Sequence, residues 1–272
     1  MNTKLTVDEV RKVAVIGAGV MGEAIISTLI ASKFRKDAIS FVEKRDDRAQ
    51  EIEEKFGISR ASLPEVASAD LIFLVTKPQD LEAVVEILAK DLNPTALVVS
   101  LAAGKKTSLV ESILKSDNPV IRVMPNTPLL IGEGISAISA GKFAREEHLS
   151  LVKGLFQSSG STLLIDEALQ DAVTATSGSG PAYFFLFVES MIEASMKLGL
   201  NEADATLLAV STIKGAAAML EQAGKSPATL RENVTSPKGT TAAALSVFDE
   251  AGFRETISKA MRAARDRSVE LG

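Results

Sequence analysis

Hydrophobic and polar positions change their period along this chain, and the changes predict its elements. Lys12-Val13-Ala14-Val15-Ile16 is a short apolar, partly β-branched run that stops at Gly17, and from Met21 the positions Ala24, Ile25, Thr28 and Leu29 recur at helical spacing. This predicts a strand, a glycine turn and a helix. Ile39 to Val42 reads as the next strand, Asp46 to Lys55 as a charged helix, Leu71 to Val75 as a fully buried strand and Asp80 to Leu88 as a helix. Leu97 to Ser100, Val120 to Val123 and Ile135 to Ser139 continue as short buried strands, and Leu163-Leu164-Ile165 follows a helical stretch from Glu146 to Phe156. Beyond Ile165 the strands cease. From Asp171 the pattern is helical, through Tyr183 to Lys197, Asn201 to Gln222, Ser226 to Glu232, Thr240 to Phe248 and Phe253 to Leu271.

Strands alternating with helices imply a mostly parallel, doubly wound sheet with helices on both faces. The change of period near residue 166 predicts two domains, 1–165 and 166–272, and the lack of a Pro/Ser-rich linker predicts a stiff junction. Ala216-Ala217-Ala218 and Ala242-Ala243-Ala244 allow close helix approach, which suits either a dimer core or tight packing within one chain.

Composition narrows the function classes. A chain of 272 residues with 46% apolar side chains has room for two cores. Its net charge is −5 and its 30 Lys and Arg form no basic run, so nucleic acid is not expected as a partner. With no cysteine there are no disulfides, thiolate metal sites or cysteine nucleophiles, and no metal is expected. Asp8 and Glu9 precede any apolar run. No stretch reads as reaching the ~20 apolar residues of a spanning helix. The expectation is a soluble, cytoplasmic chain without a membrane partner.

The first turn carries the clearest chemistry. Gly17-Ala18-Gly19-Val20-Met21-Gly22 fits the dinucleotide fingerprint in its required context, after a strand and opening a helix. Gly17 permits the tight turn, Gly19 lets the backbone approach a pyrophosphate, and Gly22 lets the helix pack on its strand. The helix N-terminus offers N–H groups and partial positive charge to the diphosphate. The fold expected is therefore an N-terminal Rossmann-type doubly wound parallel sheet followed by an all-helical C-terminal domain. At the end of the second strand Glu43 stands near the position that contacts the ribose, while Lys44, Arg45 and Arg48 beside it suit a 2′-phosphate, so NADPH is the expected coenzyme with NADH as the alternative.

Four later segments go beyond a generic nucleotide fold: Val75-Thr76-Lys77-Pro78, Arg122 to Pro128 (RVMPNTP), Ser177 to Phe184 (SGSGPAYF) and Asn233 to Thr241 (NVTSPKGTT). Together they resemble the signature segments of the pyrroline-5-carboxylate reductase family, and the resemblance runs in order along nearly the whole chain. It implies reduction of 1-pyrroline-5-carboxylate to L-proline by hydride transfer from NAD(P)H, the last step of proline biosynthesis. It also implies a homodimer through the helical domain, with a ring of dimers as a larger assembly. The cofactor set it suggests is Ile16, Gly17, Ala18, Gly19, Val20, Met21, Gly22, Lys44, Arg45, Val75, Thr76, Lys77, Pro78, Leu101, Ala102, Ala103 and Asn233. On the substrate side it implies that the backbone of Gly239, Thr240 and Thr241 grips the carboxylate and Val234 touches the ring. Thr241 is the catalytic candidate, its hydroxyl reaching the ring nitrogen, and Glu167 matches an acidic position near the ligand.

Residue chemistry supports or leaves open parts of this set. The Ser236-Pro237-Lys238-Gly239-Thr240-Thr241 turn runs into a helix and is a ready anion site. Lys238 departs from the family pattern of two consecutive glycines, and would be strained if a positive φ were required there. Glu167 is equally explained as a helix cap, and the Met124 to Pro128 loop as a structural turn. Leu101-Ala102-Ala103-Gly104 either admits a cofactor or is ordinary turn punctuation. Reduction of a protonated imine needs positioning and electrostatics more than a strong acid, which suits a chain with a single histidine, His148, remote from every motif, and a single tyrosine, Tyr183. Two other readings remain: a β-hydroxyacid dehydrogenase relying on a lysine such as Lys197 or Lys214, and a nonenzymatic nucleotide sensor.

Overall fold

A computed structural model describes residues 9–272; Asp8, noted above for its charge, lies outside the described residues. The strands are β1 Val13–Ile16, β2 Ile39–Val42, β3 Ser59–Arg60, β4 Leu71–Leu74, β5 Leu97–Ser100, β6 Val120–Met124, β7 Gly134–Ala140 and β8 Gly160–Leu164. Between and after them lie α1 Val20–Ala31, α2 Asp46–Phe56, α3 Leu63–Val66, α4 Leu81–Leu88, α5 Thr107–Leu114, α6 Glu146–Gln157, α7 Gln170–Val173, α8 Gly180–Lys197, α9 Glu202–Gln222, α10 Pro227–Asn233, α11 Thr240–Glu250 and α12 Phe253–Leu271.

The eight strands form one sheet in the order β3-β2-β1-β4-β5-β6-β7-β8. Every pairing is parallel except β6 with β7. The first six positions reproduce the order of a dinucleotide-binding sheet, whose strand order reverses beside β1. β1, β4 and β5 are buried on both faces, which is why they read as continuous apolar runs. Alternation sends Val13, Val15 and Phe73 to one core with Ile25, Leu29 and Phe156, and Ala14, Ile16, Ile72 and Leu74 to the other with Val84, Val85 and Leu88.

Local chemistry sets the helix ends. Asp46 and Asp47 open α2, where negative charge complements the dipole, and Gly57 closes it in the left-handed conformation. Ser62 and Glu65 form a reciprocal cap at α3, with the Glu65 carboxylate accepting from the Ser62 N–H at 2.7 Å. Asn201 caps α9 by accepting from the Asp204 N–H, and Ser226 caps α10, which has Pro227 in its first turn.

The chain divides into two compact units, one running to Ser179 and taking back Ala264–Gly272, the other Gly180–Ala263. This differs from a division at residue 166, and the reason is packing. Beyond β8, the Gln170 amide donates to the Ala137 carbonyl and the Ser139 hydroxyl, and a Cβ on Gly178 would come within 2.6 Å of Met124 Cε. The last helical turns return to this unit through the Ser268 hydroxyl, which donates to Asp171 at 2.7 Å. The second unit is wholly helical. It exposes Phe184, Phe185, Leu186, Leu207, Leu208 and Val247. Within it α9, 21 residues with an 18-residue stretch at mean hydropathy 1.3, is long and apolar enough by length and composition to cross a membrane, which corrects the expectation that no stretch reaches that length. Lys214 and the polar Ser211 and Thr212 interrupt the apolar run, whereas Leu207, Leu208, Val210, Ile213 and the alanines raise the mean over the helix.

Candidate active site

Nine of the cofactor candidates, Ile16, Gly17, Gly19, Val20, Lys44, Arg45, Val75, Thr76 and Lys77, line one cleft where β1, β2 and β4 end. A cleft of about 850 Å³ is lined there by Ile16, Gly17, Gly19, Val20, Val42, Glu43, Lys44, Arg45, Arg48, Val75, Thr76 and Lys77, among others. Gly17 has φ 97°, and a Cβ on it would stand 2.5 Å from the Val75 carbonyl oxygen, so only glycine makes this turn. A Cβ on Gly22 would fall inside the Gly17 carbonyl, whereas one on Gly19 would meet no atom within 4 Å. Gly19 thus keeps open space where a ligand backbone approaches, and it caps α1 with no side chain of its own. The Gly17 N–H donates to the Val42 carbonyl at 2.8 Å and fastens the turn to β2. The Thr76 hydroxyl is buried in this cleft without a protein partner. An orphaned hydroxyl beside an uncapped helix start fits a polar ligand such as a dinucleotide.

Charges around the cleft are paired across the fold. The Glu43 carboxylate accepts from the Ala18 N–H at 3.0 Å and from the Arg45 N–H at 3.1 Å. Arg48, only 12% exposed, donates to the Ala18 carbonyl at 2.8 Å and forms ion pairs with Glu23 and Glu51. Lys55 and Arg48 together hold the Glu23 carboxyl below its ordinary pKa. Arg45 pairs with Asp47 and Lys44 with Asp80. Sequence reasoning missed Glu23 and Asp80 as cleft residues because their partners Arg48 and Lys44 are distant in sequence, and Glu51 because its i,i+3 pairing with Arg48 reads as an ordinary helix-surface pair.

Other candidates fall differently. Leu101 and Ala102 put their side chains into the two cores, and Gly104, at φ 78°, packs against the Ser268 carbonyl. Pro78 opens a short turn before α4. Asn126 is buried and accepts from the Ile135 N–H at 2.9 Å, so it braces the proline-bracketed loop. The Glu167 carboxylate accepts from the Thr107 N–H at 2.7 Å and its hydroxyl at 2.9 Å, and faces Arg122 at 3.7 Å. It caps α5 within the first unit. His148 accepts the Arg145 N–H at 3.0 Å, a helix-start contact, and burial lowers its pKa.

Asn233, Val234, Gly239, Thr240 and Thr241 all belong to the second unit. Gly239 caps α11 without a side chain, and a Cβ on it would collide with the Ser236 hydroxyl. The first turn of α11 therefore presents uncapped N–H groups beside the half-buried Thr241. Lys238 adopts φ 58°, so the position does require the left-handed conformation that glycine takes without cost. Lys238→Gly is expected to stabilise the protein by about 1 kcal/mol, read as a higher urea midpoint. An unchanged or lower midpoint would show that the lysine is not strained.

Comparison with known proteins decides the family. A relative from Corynebacterium melassecola, a pyrroline-5-carboxylate reductase, is 41% identical over 265 residues, which cover 96% of this chain and 98% of that one. The chain belongs to the pyrroline-5-carboxylate reductase family. The Pseudomonas aeruginosa member is 39% identical over 96% of both chains. The family model described as pyrroline-5-carboxylate reductase dimerisation matches residues 167–271, and one described as NADP oxidoreductase coenzyme F420-dependent matches 12–104. Among solved structures, the Plasmodium falciparum pyrroline carboxylate reductase with NADP bound superposes with a TM-score of 0.87 at 30% identity, covering 96% of this chain and 98% of the other. Membership removes the hydroxyacid dehydrogenase reading, and Lys197 and Lys214 are both exposed.

Proposed function

We propose that this protein reduces 1-pyrroline-5-carboxylate to L-proline, taking hydride from NAD(P)H, as the last step of proline biosynthesis. The observation that carries the reading is the pairing of an open glycine turn, with Gly19 facing space and Thr76 unpartnered, with family membership over 96% of the chain. The reduced nicotinamide, when bound, supplies the hydride. The residues of this chain hold and orient. Gly17 and Gly19 admit the pyrophosphate to the start of α1, and Val75, Thr76 and Lys77 wall the cleft at the end of β4. The uncapped N–H groups of Gly239, Thr240 and Thr241 suit the substrate carboxylate, Val234 its ring and Asn233 the coenzyme. The Thr241 hydroxyl hydrogen-bonds the ring nitrogen as a neutral donor or acceptor. Glu167, which the family resemblance sets near the ligand, holds the start of α5.

The reading includes a homodimer formed by the second unit, supported by the dimerisation model that matches residues 167–271 and by the exposed Phe184, Phe185, Leu207 and Leu208. The same interface accounts for the apolar surface of α9, and the protein is read as cytoplasmic. A ring of dimers is the larger assembly proposed.

Purified protein is expected to oxidise NAD(P)H when given 1-pyrroline-5-carboxylate and to release proline, and Thr241→Ala is expected to lower kcat about 10–100-fold while coenzyme binding persists. Absence of turnover with either coenzyme across neutral pH overturns the function, and undiminished kcat removes Thr241 from the mechanism.

A further inference from the structure

We infer that Glu43 is the residue by which this protein ranks its two coenzymes, and that it places NADH ahead of NADPH. The inference rests on the reductase reading and concerns the same cleft. Glu43 directly follows β2, where an acidic side chain accepts a hydrogen bond from the ribose 2′-hydroxyl and a phosphate there meets its charge. The carboxylate is not free to swing away, because the Ala18 N–H holds Oε2 at 3.0 Å and the Arg45 N–H holds Oε1 at 3.1 Å. Each oxygen keeps a second lone pair for a hydroxyl donor.

The cations that a sequence reading assigns to a 2′-phosphate are committed elsewhere. Arg48 is the deciding one: its Nε donates to the Ala18 carbonyl and its two terminal nitrogens are ion-paired with Glu23 and Glu51, so its charge is already faced by two carboxylates. Arg45 is paired with Asp47 through two bonds at 3.2 and 3.0 Å, and Lys44 stands 3.7 Å from Asp80. These last two pairs are exposed and individually weak. Moving either cation to a phosphate nevertheless uncovers an acid next to that phosphate. A coenzyme with a ribose hydroxyl finds an acceptor already in place, and one with a phosphate finds a fixed negative charge and no uncommitted guanidinium. Both coenzymes serve the reaction, and the difference lies in affinity.

The test is a pair of binding titrations, NADH and NADPH, followed by reduced-nicotinamide fluorescence without imine substrate, on the parent chain, Glu43→Ser and Glu43→Gln. The parent is expected to bind NADH about tenfold more tightly or better, and Glu43→Ser to shrink that ratio by about tenfold, chiefly by strengthening NADPH. Glu43→Gln keeps an oxygen for the Ala18 N–H while removing the charge, so it gives the same readout should the serine variant fold poorly. The advantage of NADH is also expected to narrow as salt rises, since screening weakens repulsion. Equal or tighter NADPH binding by the parent, or a ratio unmoved in the folded variants, overturns the inference while leaving the reductase reading intact. Failure of both coenzymes to support imine reduction strikes that reading instead.

Discussion

Gly22→Ala is expected to weaken coenzyme binding by about 100-fold or more, ~2.7 kcal/mol. The added methyl would occupy the space of the Gly17 carbonyl oxygen, which is backbone and has no rotamer to escape through. Gly17 is itself fixed from the other side, by its N–H bond to the Val42 carbonyl and by its close approach to the Val75 carbonyl. Relief therefore requires α1 to move off β1 or the turn to open, and either displaces the N–H groups of the helix start from the pyrophosphate. Overpacking of this kind also costs the fold about 1–3 kcal/mol. Gly19→Ala is the comparison, because its methyl meets nothing within 4 Å and leaves the protein's stability unchanged. Fluorescence titration with reduced coenzyme, paired with thermal melts, checks both. Binding by Gly22→Ala within twofold of the parent would show that the turn is not held as described.

Arg122→Leu is expected to destabilise the protein by about 3–5 kcal/mol. Arg122 is 2% exposed in β6 and faces Glu167 at 3.7 Å and Asp171 at 3.4 Å. Those carboxylates are in turn tied to Thr107 at the start of α5 and to Ser268 near the end of α12. One guanidinium thus compensates two acids that anchor separate segments to the sheet. Removing it leaves two mostly buried negative charges without their shared cation, and leucine is too apolar to satisfy either. The urea midpoint measures the loss, and Asp171→Asn, which keeps a hydrogen-bonding group and lowers the acid excess, is expected to lose less. A loss under about 1 kcal/mol in Arg122→Leu would mean that water already satisfies the carboxylates.

Much of the fold was legible because it is written in local periodicity. The β1 run, the glycine turn and α1 are contiguous, so their pattern can be read within one short window even though Gly17 is also held by Val42 and Val75. Continuously apolar strands such as β4 and β5, and long helices such as α8 and α9, were equally plain. Short elements were not: β3 is two polar, exposed residues paired only through Ser40 and Phe41, and α5 is eight residues whose start is capped by Glu167 from 60 positions away. A hydrophobic pattern carries no trace of either partner.

The site divides along the same line. Gly17, Gly19 and Gly22 could be assigned from spacing, since backbone freedom and the absence of a side chain are properties of the residue itself. The left-handed turn at Lys238 could be posed from sequence only as a question, and its answer is a backbone angle of 58°. Arg48 shows the limit most clearly. Beside Lys44 and Arg45 it counts as one more positive charge for a phosphate, yet the fold brings Glu23, 25 residues earlier, and the Ala18 carbonyl, 30 residues earlier, against its guanidinium.

The sequence by itself determined a dinucleotide turn, an alternating sheet domain and a helical remainder, because each follows from residue size, backbone freedom and the period of apolar positions. Tertiary structure alone decided which charges in the cleft remain available and which segments return to the sheet. It also showed that the helix Glu167 caps is α5, whose start lies 60 residues earlier. Those outcomes depend on which side chains distant in sequence come within a few ångströms of one another, and electrostatic energy falls off over that distance, whatever the spacing along the chain.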